Sequence, residues 1–71
     1  MIQSDMNRII GELINARLSA GMLAEQSVAE KDYRTAQMFI MMRDVLKGLE
    51  DSTINYTRTL KTDEGVGEQN E

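Results

Sequence analysis

Apolar residues recur along the first part of the chain in alternating steps of four and three. Ile2, Met6, Ile9, Leu13, Ala16, Ala20 and Leu23 make one such series. That spacing lines one side of an α-helix as a heptad seam. Ile10, Ile14, Ala24 and Val28 widen the seam on one side, so the apolar face covers roughly 180° of a wheel drawn at 100° per residue. Ser4 is suited to cap the helix, and Asp5 to its positive end. The pattern predicts a helix from about Asp5 to about Ala29.

A second series follows: Phe39, Met42, Leu46, Leu49, Thr53, Tyr56 and Leu60, again in steps of three and four. Met38, Met41 and Val45 widen it. This predicts a helix from about Tyr33 to about Lys61. Between the two lies Glu30-Lys31-Asp32, where Asp32 can cap the second helix. No Gly or Pro marks the turn. One unbroken helix of roughly 57 residues is therefore the rival, about 85 Å long at 1.5 Å per residue. The hairpin is the better expectation, because it lets both seams meet within one molecule.

The fold class is thus all-α, a two-helix antiparallel hairpin over residues 1–61. Its apolar surface exceeds what two helices can hide on each other. A helix packed on one side needs an apolar stripe a little over 100° wide. The first is wider, and Met38-Phe39-Ile40-Met41-Met42 is apolar around a full turn of the second. A surplus of this kind marks interaction surfaces. The expected solution is a homodimer forming a four-helix bundle, with a higher oligomer as an alternative.

Composition narrows the chemistry. At 71 residues the chain makes one small domain, whose lone core is marginal without a staple. It has neither Cys nor His, which removes disulfides, thiolate metal sites and the commonest general base. No phosphate-cradling Gly loop or nucleophile–base pair is present. No catalytic residue, metal or cofactor is expected, and the protein is read as non-enzymatic. The run over residues 9–24 is too short and too polar to span a membrane, so a cytoplasmic location with no membrane partner is expected. All eight bases and eight of the twelve acids fall in residues 1–62, and the net charge of −4 resides in Asp63, Glu64, Glu68 and Glu71. Residues 62–71, with two Gly and one apolar residue, read as a disordered acidic tail.

Two surfaces remain as candidates for binding. The first is apolar: Met38, Phe39, Met41 and Met42 of the second helix, with Leu18 and Met22 of the first. Met-rich surfaces adapt to varied partners, so the partner here is the chain itself and another protein. Arg17 belongs to this surface. It falls amid the apolar face of the first helix, where it either extends to the bundle edge or pairs with an acid such as Glu50 or a partner's carboxylate or phosphate. The second surface is basic. Arg43, Lys47, Arg58 and Lys61 share an arc of roughly 60° on the second helix, with Tyr33 beside it and Glu50 within it. Such a stripe can hold a phosphate-bearing ligand, RNA or a small nucleotide, with Tyr33 stacking on a base. The protein-binding reading is the leading one: a small adaptor, inhibitor or chaperone acting as an oligomer. The nucleic-acid reading is the alternative.

Overall fold

The computed structural model describes residues 3–60 in full, together with the helical backbone on either side of them. The chain forms two helices, α1 (Ile2–Ala29) and α2 (Tyr33–Asn70). Among the described residues there is no strand. The acidic tail expected at residues 62–71 lies outside the residues described in full, as does the side chain of Lys61.

Helix α1 starts at Ile2, three residues ahead of Asp5. Ser4 therefore lies inside the helix instead of capping it. The first N–H groups of an exposed helix start can be satisfied by water, so nothing forces the start to the serine.

The turn is built from two capping motifs that share Asp32. Lys31 N–H donates to Val28 O at 2.9 Å, and Asp32 N–H donates to Ser27 O at 2.9 Å. This bond pair closes a helix around a left-handed residue. That residue is Lys31, with φ 63°. Glycine is the usual occupant, and a side chain there costs roughly 1–2 kcal/mol. Asp32 then caps α2. Its Oδ1 accepts the Thr35 N–H at 3.2 Å, and its carbonyl accepts the Ala36 N–H at 3.0 Å. Hydrogen bonding to Thr35 holds the Asp32 carboxyl below its ordinary pKa of 3.8.

The turn sends α2 back along α1. A side chain added at Gly21 would meet Arg43, and Arg17 pairs with Glu50, so the helices run antiparallel. The longest dimension is 61 Å, well short of the roughly 85 Å of one unbroken helix.

The hairpin seam is thin and partly polar. Its buried apolar residues are three alanines, Ala20, Ala24 and Ala36, at 3–4% exposure. Ser27 and Glu50 are buried with them. Met6, Leu13, Phe39, Leu46, Thr53 and Leu60 are half-buried around this centre. Small residues let the helices approach closely, but they hide little apolar area. Burial stabilises by about 25 cal/mol per Å², so a core of three methyl groups stabilises weakly. Further down α2, Thr53 Oγ1 donates to Leu49 O at 2.7 Å and Thr57 Oγ1 to Thr53 O at 2.9 Å. These bonds satisfy the hydroxyls within the helix, at some cost to helix stability.

Candidate interaction surface

The two heptad seams are covered in alternation. On α1, Met6, Leu13, Ala20 and Ser27 turn toward α2 and are buried or half-buried, while Ile9, Ala16 and Leu23 between them are exposed. On α2, Phe39, Leu46, Thr53 and Leu60 turn toward α1, while Met42, Leu49 and Tyr56 are exposed. The five large side chains left open are 41% (Ile9) to 56% (Tyr56) exposed. Every second member of each seam thus lacks the cover that its neighbours have.

The open members lie on one side of the molecule. On each helix they are offset from the hairpin seam by roughly 50–75°, in the same sense along the chain. Because the helices face each other and run antiparallel, offsets of the same sense point to the same broad side. The other broad side is fixed independently. There Gly21, Ala24 and Val28 share a shallow groove with Ile40 and Arg43, and Asn7 and Ile10 share another with Ile54 and Thr57. The open apolar side carries a groove of about 430 Å³ lined by Met38, Met41, Met42, Val45 and Leu46.

The residues singled out from the sequence divide between these surfaces. Met38, Met41 and Met42 line the apolar groove and are exposed. Phe39 does not belong with them, because it turns into the hairpin and is half-buried. Leu18 and Met22 are exposed toward the outer edge of α1, where Met22 shares a shallow groove with Ser19, Gln26 and Leu23 of the open side. Val45, Leu49 and Tyr56 are exposed on the open side. The heptad spacing already contained Leu49 and Tyr56, but no feature of one helix read alone says which seam members the neighbouring helix covers.

Arg17 is committed inside the hairpin. Its Nε donates to Glu50 Oε2 at 2.7 Å, with side-chain exposures of 27% and 6%. Of the partners open to it, the one taken is Glu50 of its own chain. Among the described residues no buried side-chain polar atom lacks a hydrogen-bond partner.

The basic stripe is less concentrated than its arc on the wheel implies. Arg43 Nη2 lies 3.4 Å from Asp44 Oδ1, and Lys47 Nζ lies 3.3 Å from Asp51 Oδ1. Arg58 is not free either. Tyr33 is ten residues before Arg43, about 15 Å along the helix axis. These groups form a line of neutralised cations, and no compact anion pocket brings Tyr33 and Arg43 together. Among the described residues no cluster of three acidic side chains could hold a metal ion. Among the described residues no helix is long and apolar enough to cross a membrane.

Comparison with protein-family models, curated proteins and solved structures finds no match to this chain.

Proposed function

We propose that the protein is a non-enzymatic protein–protein interaction module of the adaptor, inhibitor or chaperone type, working as a homodimeric four-helix bundle. The observation that carries this reading is the alternating cover of the two seams. A heptad seam is a bundle-core pattern. Each hairpin covers half of it, and the other half lies together on one broad side. A second copy presents the same side, so one isologous contact covers both. Covering a half-exposed Leu, Ile or Met contributes roughly 1 kcal/mol, which over two copies reaches on the order of 10 kcal/mol before the cost of association. That gain supplies the stability that the alanine-centred hairpin lacks.

Dimerisation on the open side leaves Leu18 and Met22 exposed on the outer edge of α1. These two residues, four apart on one helix face, are where a further protein would find apolar contact. The test uses two sets of variants in the full chain. Leu49→Lys places a charge within the dimer contact, and the mass should fall to that of one chain with loss of helicity. Leu18→Ser/Met22→Ser should keep the dimer mass and lose proteins that co-purify from the native source with the wild type. A Leu49→Lys variant that keeps both dimer mass and stability would refute the dimer surface. A partner retained by the Leu18/Met22 variant would refute the edge.

A further inference from the structure

Three of the six methionines of the chain fall within five residues of α2. Met38, Met41 and Met42 stand at positions i, i+3 and i+4, which are neighbours on a helix surface. Their side chains are 51%, 63% and 46% exposed and line one groove of about 430 Å³. Val45 and Leu46 complete the lining, so the donor atoms that its side chains offer are thioether sulfurs alone. An apolar contact with a second copy is served as well by Leu. Packing therefore does not account for three sulfurs in one place.

We infer that this groove is a metal site for copper(I), held by the thioethers of Met38, Met41 and Met42. Thioethers are soft ligands and select copper(I), whereas carboxylate, carbonyl and water oxygens suit hard cations such as Mg²⁺ and Ca²⁺. The lack of Cys and His removes the usual ligands for zinc, and it leaves these sulfurs as the soft donors. The ligands are neutral, so the ion keeps its charge in an apolar setting. A single charge costs less to bring there than a double one. Met is unbranched, with three rotatable bonds, so the sulfurs can turn onto one ion without moving the helix. Of the neighbouring cations, Arg43 is paired with Asp44 at 3.4 Å, and Arg34 lies a full turn before Met38. Met41, the most exposed of the three, lies farthest from the hairpin seam on the wheel and marks the way in. All three ligands come from one helix, so the site does not depend on the dimer reading.

The experiment titrates copper(I) anaerobically into the full chain against a chromophoric chelator. A Met38→Leu/Met41→Leu/Met42→Leu variant and a Met6→Leu/Met22→Leu control are measured beside it. Leu keeps the volume and helix preference of Met, so helicity and mass should persist in both. The wild type and the control should bind one copper(I) per chain. The triple variant should lose affinity by more than about tenfold, the loss that even a partner outside the ligand set causes. X-ray absorption should show sulfur around the bound ion. Equal affinity in the wild type and the triple variant would overturn the inference, as would an equal loss in the control. Oxygen or nitrogen in place of sulfur around the ion would overturn it too. Failure to bind copper(I), with dimer mass kept by the copper-free chain, removes the site and leaves the dimer reading standing. A single-chain mass with copper(I) bound does the reverse.

Discussion

The Arg17–Glu50 pair sets the clearest energetic test of the hairpin. Glu50 is 5% exposed, and its carboxylate is held by Arg17 Nε at 2.7 Å. Arg17→Met removes the cation and leaves a buried charge. Breaking a fully buried pair costs about 3–5 kcal/mol. Arg17 keeps 27% of its side chain in solvent, so water reaches the pair and the expected cost falls to about 2–3 kcal/mol. Glu50→Leu should cost less, about 1 kcal/mol, because a long Arg17 side chain can extend its guanidinium to water. The double variant replaces the pair with apolar side chains of similar size and should lie close to the wild type or above it. The coupling energy from this cycle is then about 3–4 kcal/mol. Urea unfolding followed by far-ultraviolet circular dichroism, at one fixed chain concentration, measures all four proteins. A cost below about 0.5 kcal/mol for Arg17→Met would mean that Glu50 is solvated and the pair behaves as a surface one. The argument for a polar, buried seam would then fail.

Other substitutions have separate outcomes. Gly48 lies inside α2 with nothing within 4 Å of an added Cβ, so Gly48→Ala should raise stability by about 1 kcal/mol in the same urea assay. Lys31→Gly should stabilise by roughly 1 kcal/mol by relieving the left-handed backbone, whereas Lys31→Ala should not. Asp32 has a folded pKa below its ordinary 3.8, so its contribution is present above that value and lost as pH falls through the lowered folded one. Asp32→Asn keeps a capping side chain and should remove this part of the acid dependence of Tm, narrowing the gap to the wild type at low pH. An unchanged pH profile for that variant would show that the cap does not titrate with folding.

The two helices and their seams were legible because a repeat in steps of three and four has a direct meaning on a helix surface. The Arg17–Glu50 contact was partly legible, since a guanidinium amid an apolar face needs an acid, and Glu50 was one of the candidates. The left-handed Lys31 was not legible, because the residue that normally signals such a turn is glycine. In sequence Phe39 reads as part of the outer surface because it sits in a run of five apolar residues, all of which look alike until the neighbouring helix selects a side. The same selection decides that Met6, Leu13 and Ala20 are covered while Ile9, Ala16 and Leu23 are not. A heptad series marks a bundle core as a whole and does not say which of its members a single hairpin covers.

The claim on which the account depends is that the half-covered seams are completed by a second copy. Sedimentation equilibrium of the wild-type chain at micromolar concentration tests it most directly. The account predicts a helical species of about 16 kDa, twice the 8.0 kDa of one chain, which dissociates and loses helicity together on dilution. A well-folded helical species of 8.0 kDa, with no concentration dependence in its mass or its unfolding midpoint, would contradict it.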